Sequence, residues 1–118
     1  MKHFVFFSWQ SDCDSFVTRD LITSALGKAL ELLGPDYALD EATRGQPGTP
    51  DIFHSVLSKI ARCSVFVPDL TLVGSYSNGR HTVNPNVTLE YGYALRSMGL
   101  ERIIPVMNCH FGSPKSLP

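Results

Sequence analysis

The order of apolar and polar positions divides the chain into alternating strand and helix signals. Residues 3–8, HFVFFS, form a short, largely apolar run without polar alternation, the pattern of a strand covered on both faces. Residues 16–33 carry helical spacing through Phe16, Leu21, Ala25, Leu26, Ala29, Leu30 and Leu33, and Gly34-Pro35 stops that helix. A second short strand is predicted over 37–40, followed by a break at Gly45, Pro47 and Gly48. Thr49 then reads as an N-cap, with Pro50 at the first helical position and Asp51 suited to the helix dipole, opening a helix to about residue 62. SVFVPD at 64–69 and RIIPVMN at 102–108 predict a third and a fourth strand, with Pro68 and Pro105 expected where no ladder donor is needed. Between them a polar loop over 71–83 leads to Asn84-Pro85, a second cap and first-turn pair, and a helix running to about residue 98.

Strands alternating with helices imply a parallel sheet with helices on both faces. The expected fold is α/β, a flavodoxin-like three-layer sandwich with strand order 2-1-3-4. Such sheets bind ligands beyond the carboxyl ends of their strands, where strand order reverses, here between the first and third strands. The residues just past those ends are Trp9, Gln10, Ser11 and Asp12, then Asp40 and Glu41, then Asp69, and finally Asn108. One rim therefore gathers most of the polar chemistry.

Length and composition narrow the picture further. The 118 residues suffice for one small domain, and 43% hydrophobic with 18% charged residues describes a globular chain. A formal charge of -1 leaves no electrostatic footprint for nucleic acid. Cys13, Cys63 and Cys109 are odd in number and far apart, which fits neither a disulfide framework nor a C-x-x-C metal site and suggests reduced thiols in a cytoplasmic protein. The apolar start is too short for a signal peptide or a membrane span. His3, His54, His81 and His110 show no ligand spacing, so no metal is expected. Neither G-x-G-x-x-G nor G-x-x-x-x-G-K-[ST] occurs, which argues against a dinucleotide-binding dehydrogenase and a P-loop nucleotidase, and the lack of G-x-S-x-G leaves a serine hydrolase little support.

Glu90 is the most informative single position. On the last predicted helix Val87, Tyr91, Ala94, Leu95 and Met98 form the apolar stripe, and Glu90 falls on its edge in line with Asn86, Tyr93 and Ser97. A carboxylate there either has a partner or opens into a cleft, because burying an unpaired charge is costly. A helix capped at Asn84 starts beside the third strand's end, which brings Glu90 about a turn and a half from the rim. The alternative is an edge glutamate in water.

Four segments together resemble a known family. FFSWQSD at 6–12, LDEATRGQPGTPDI at 39–52, VFVPDLT at 65–71 and NPNVTLEYGYAL at 84–95 are similar to a bacterial TIR (Toll/interleukin receptor-like) domain of the antiphage-defence type. Arg44, Gly45, Gln46, Pro47 and Gly48 resemble its BB loop, an assembly element, and NVTLEYG at 86–92 resembles the helix segment that carries its catalytic glutamate. The last motif also resembles that of nucleoside deoxyribosyltransferases. The resemblance implies an NAD⁺ glycohydrolase that releases nicotinamide and linear or cyclic ADP-ribose, with Glu90 catalytic and NAD⁺ as substrate rather than cofactor. Trp9, Gln10, Ser11, Asp69, Asn86 and Arg44 are then the candidate substrate-binding residues.

The same resemblance implies homotypic TIR assembly through Arg44, Gly45, Pro47 and Gly48, no nucleic-acid or membrane partner, and a sensor domain, such as one for a cyclic nucleotide, elsewhere in a parent chain. The family pattern continues with a further helix and strand, so residues 1–118 are expected to be a single TIR-like domain truncated at its C-terminus, and the isolated domain nearly inactive. Two other classes stand beside this one. A noncatalytic TIR interaction module would use Glu90 only as a helix-edge charge, and a phosphoacceptor domain would gather Asp12 and Asp69 round Mg²⁺.

Overall fold

The computed structural model describes residues 2–41 and 50–117, with the side chains of 50–52 left outside that description. Strand β1 (His3–Ser8) lies at the centre of a parallel sheet between β2 (Tyr37–Glu41) and β3 (Val65–Pro68). Its register pairs Phe6 with Asp40 on one side and with Phe66 on the other. The sequence-predicted order is reproduced, because residues 103–106 run parallel along the outer edge of β3 through bridges of Ile103 to Phe66 and Val106 to Asp69.

That fourth segment is a broken strand, and its prolines explain why. Ile104 and Val106 donate their backbone N–H groups to Phe66 and Pro68, so the intervening Pro105 faces away from the ladder and costs nothing, as its sequence position implied. Pro68 is different. Its carbonyl accepts from Val106, so its nitrogen points to the same neighbour, and the N–H it lacks removes a rung from that side of the ladder. The expectation that Pro68 needs no donor is therefore corrected.

Side-chain partners assign the layers. Glu41 on β2 bonds Arg19 and Thr23 of α1 (Arg19–Leu33), whereas Asp40 bonds Lys59 of α2 (Pro50–Arg62), and Ser8 bonds Glu90 of α3 (Pro85–Met98). Because successive side chains on a strand point to opposite faces, α1 covers one face of the sheet and α2 and α3 the other. This is the flavodoxin-like three-layer arrangement. Its core is Val5, Phe6, Phe7, Ile60, Phe66 and Val67, with the Phe6 and Phe66 rings stacked at 6.1 Å.

Two helices differ from the sequence pattern. A 3₁₀ turn at Ser15–Val17 precedes α1, and the stripe facing the core is Ile22, Leu26 and Leu30; Phe16, Leu21, Ala25, Ala29 and Leu33, all expected inside, face water. The rotation follows from Glu41, whose carboxylate draws Arg19 and Thr23 toward the sheet. Helix α3 buries Val87, Glu90 and Ala94 and leaves Leu95 exposed, so Glu90 lies in the middle of the buried stripe rather than on its edge.

The segment expected to be a polar loop contains a hairpin. β4 (Leu72–Ser75) and β5 (His81–Val83) pair antiparallel with an irregularity between Leu72 and Gly74, and the turn is closed by Tyr76 N–H to the Arg80 carbonyl at 2.7 Å. Gly79 takes a φ of +85° there, a conformation a side chain rarely adopts. Leu72 and Val83 join Val87 in a second apolar cluster, against which Leu70, Met107 and Leu117 pack. Among the described residues no helix is long and apolar enough to cross a membrane.

Candidate active site

Glu90 reaches the carboxyl end of β1. Its side chain is 3% exposed, and one carboxylate oxygen accepts from the Ser8 hydroxyl at 2.8 Å. Ser8 is the last residue of β1 and is fully buried, so the strand itself fixes the carboxylate's position. Ser8 is not among the residues that the sequence puts forward as a site. The alternation of the strand was the available signal, since a hydroxyl two residues beyond Phe6 must share its face.

The start of α3 is tied to the loop after β1. Asn84 caps the helix, its side-chain oxygen accepting from the N–H groups of Asn86 and Val87, and its amide donates to the Asp12 carboxylate at 2.7 Å. Asn86 itself is exposed on the first turn, as is Ser11 in the facing loop. Those two candidate binding residues stand at the outer level of the rim.

Gln10 and Asp69 occupy an inner level. The Gln10 side-chain oxygen accepts from the Asp12 and Cys13 N–H groups at 2.7 and 3.0 Å, folding the loop back on itself, and its side-chain amide donates to Asp69 at 3.4 Å. Asp69 also accepts from the Thr71 N–H and hydroxyl, and the Thr71 hydroxyl in turn accepts from Asn108 N–H at 2.9 Å. Gln10, Asp69 and Thr71 are essentially inaccessible. Their hydrogen bonds join the ends of β1, β3 and the fourth segment, as buried polar groups require. The Asp12 and Asp69 carboxylates that a phosphoacceptor would turn to a cation are both engaged by amides and hydroxyls.

Trp9 lies on the α1 side of the same rim, 7% exposed, with the Arg19 guanidinium 3.7 Å above its ring centre. Arg19 also pairs with Glu41 at 3.1 Å. Arg44, Gly45, Pro47 and Gly48, together with the Thr49 cap, lie outside the described residues. Among the described residues no group of three His, Cys, Asp or Glu side chains has the geometry to hold a metal ion. Burial, reinforced by Asp69 and Asp12, pushes the Cys13 thiol up, so it stands protonated at neutral pH and is a poor nucleophile.

No protein-family model matches the chain, and no curated protein does. The backbone is similar to that of a solved structure described as 2-desoxiribosyltransferase from Leishmania mexicana. The TM-score is 0.55 at 15% identity, covering 89% of this chain and 64% of that one. That likeness shows the fold. The present chain thus spans about two thirds of the other's length.

Two open grooves among the described residues border α2. One of about 320 Å³ is bounded by Lys2, Phe4, Asp40, Lys59, Arg62 and Cys63, and an apolar one of about 490 Å³ runs between Phe53 and Leu57 of α2 and Leu89, Gly92 and Tyr93 of α3. Their size reflects surface shape, whereas the polar chemistry lies at the carboxyl end of β1, in the Ser8–Glu90 and Asp12–Asn84 pairs. An enclosed carboxylate interacts with a nearby positive charge far more strongly than one in water.

Proposed function

We propose that the protein cleaves the N-glycosidic bond of a nucleotide, with NAD⁺ as substrate and Glu90 as the catalytic carboxylate. The observation that carries this reading is the Glu90 carboxylate, nearly enclosed and held by Ser8 at the carboxyl end of the central strand, where sheets of this fold bind ligands. A carboxylate buried at a ligand-binding rim is a hallmark of functional sites and supports this reading. The solved protein of similar fold is described as a desoxyribosyltransferase, and the segments over 6–12, 39–52, 65–71 and 84–95 resemble TIR domains that act on NAD⁺. Both likenesses support N-glycosyl chemistry.

The reaction asks little of the protein. The bond between ribose C1′ and the nicotinamide nitrogen breaks with its electron pair going to the pyridinium, which leaves neutral without a general acid. Positive charge then develops on the ribose ring, as in glycosidase transition states. The Glu90 carboxylate stabilises it electrostatically, and water adds at C1′ and gives up its proton to solvent. Ser11 and Asn86 on the outer level of the rim, with Trp9 and Arg44, are the proposed substrate contacts, and the inaccessible Gln10 and Asp69 hold the strand ends beneath them. The TIR reading adds an antiphage effector role, with activity dependent on assembly through Arg44, Gly45, Pro47 and Gly48.

Incubating concentrated protein with NAD⁺ and following nicotinamide release tests the reading. Glu90→Gln is expected to lower the rate at least 100-fold while unfolding cooperatively; a folded variant that cleaves at the parental rate sinks it. A second reading, transfer of deoxyribose between bases, is favoured by the structural likeness. Exchange of a labelled free base into a deoxynucleoside, with no nicotinamide release, would select it.

A further inference from the structure

The indole of Trp9 has one face covered by the Arg19 guanidinium at 3.7 Å. A planar ligand ring can stack there only if Arg19 leaves. What would draw it away is legible from its partners. Among the described residues its hydrogen-bond partner is Glu41, whose other oxygen accepts from the Thr23 hydroxyl at 2.8 Å. Glu41 is therefore anchored without Arg19 and stays in place if the guanidinium swings out. The Arg19 side chain is 37% exposed against 7% for the whole of Trp9, so the cation is reachable from solvent while the indole beneath it is not.

We propose that Arg19 is an anion-binding residue and that the Arg19–Trp9 stack opens to take a nucleoside diphosphate, the diphosphate pairing with Arg19 and the base stacking on the uncovered indole. The inference rests on the reading of this rim as a nucleotide site. The guanidinium fork matches two phosphate oxygens, and a diphosphate offers more charge than the single carboxylate it replaces. Trp9 follows Ser8 directly, so the platform and the Glu90 carboxylate flank the end of the same strand from opposite faces. Base stacking and phosphate pairing are coupled by this geometry. A nucleoside without phosphate has to displace Arg19 unaided, and inorganic pyrophosphate moves Arg19 but brings no ring to stack on the indole.

Trp9 is the single tryptophan, so its emission reports the stack directly. Titrating the protein with ADP, adenosine and pyrophosphate is expected to give ADP saturation at least tenfold below adenosine, with quenching by ADP and a different spectral change with pyrophosphate. Arg19→Gln should shift the emission of the ligand-free protein and bring ADP and adenosine within twofold of each other, while Arg19→Lys keeps part of the preference. Equal affinities for ADP and adenosine in the parent protein, no ADP response at millimolar concentration, or an ADP preference unchanged in Arg19→Gln would each overturn the proposal. Glu90→Gln separates the two readings: an ADP titration retained in that variant, in a parent that releases no nicotinamide, removes the glycohydrolase and leaves the Arg19 site standing.

Discussion

Removing the Ser8 hydroxyl is the sharpest probe of how Glu90 is held. The hydroxyl donates to the Glu90 carboxylate at 2.8 Å in a fully buried position, so Ser8→Ala deletes a charge-assisted bond that water is poorly placed to replace. Hydrogen bonds to charged groups contribute roughly 1.5–3 kcal/mol against about 1 kcal/mol for neutral ones. Ser8→Ala is therefore expected to cost about 2 kcal/mol in the parent and about 1 kcal/mol when Glu90→Gln has already removed the charge. For a chain of this length an unfolding entropy of roughly 0.25 kcal/mol/K converts 2 kcal/mol into a fall of about 8 °C in melting temperature. Urea unfolding of the parent, both single variants and the double variant closes the cycle, provided the m-values agree. A coupling within about 0.3 kcal/mol of zero, or a Ser8→Ala variant as stable as the parent, would refute the idea that the end of β1 fixes the carboxylate.

Three further outcomes follow from the geometry. Asn84→Ala removes both the cap of α3 and the tie to Asp12, and should cost about 1–2 kcal/mol in urea unfolding, more than Asn86→Ala on the exposed first turn. Gly112→Ala places a methyl group against Leu72 Cδ1 at a φ of +148°, so it should lose roughly 1–3 kcal/mol, and Leu72→Ala in the same chain should recover part of the steric share. Burial pushes the Cys63 thiol up to about 11, partly offset by Arg102, so the folded protein holds that proton longer than the unfolded chain. Its contribution is present below the ordinary thiol value and lost as pH rises toward 11, on the order of 2 kcal/mol, and the slope of stability over that window should flatten in Cys63→Ala.

Much of the fold was legible because its signals are local. The apolar run of β1, the Pro50 and Asn84-Pro85 helix starts and the SVFVPD strand each occupy a few adjacent residues, and the sheet order follows from their succession. The hairpin is poorly signalled: Asn78-Gly79 is a turn dipeptide, but LVGS before it and HTV after it hold only Val73, Thr82 and Val83 as β-branched residues, outweighed by the polar turn between them. The rotation of α1 depends on Glu41, a residue of another element, and helical periodicity contains no information about such a partner. At the rim, residue identity located Glu90, Gln10 and Asp69, but burial separated their surroundings in a way the sequence did not. Gln10 and Asp69 knit strand ends together, and Ser8, unremarked in sequence, donates to the carboxylate.

The two levels of the rim set different evolutionary rules for neighbouring positions. Ser8, Gln10, Asp69, Thr71 and Glu90 are locked by mutual hydrogen bonds beneath the surface, so altering one leaves a buried partner unsatisfied and threatens the whole domain. Ser11 and Asn86 stand above them in water, with no such debt to the interior. Selection can therefore explore new side chains at the outer positions, one substitution at a time, while the Glu90 carboxylate stays where the central strand puts it. A lineage can change the face of this rim far more easily than its foundation.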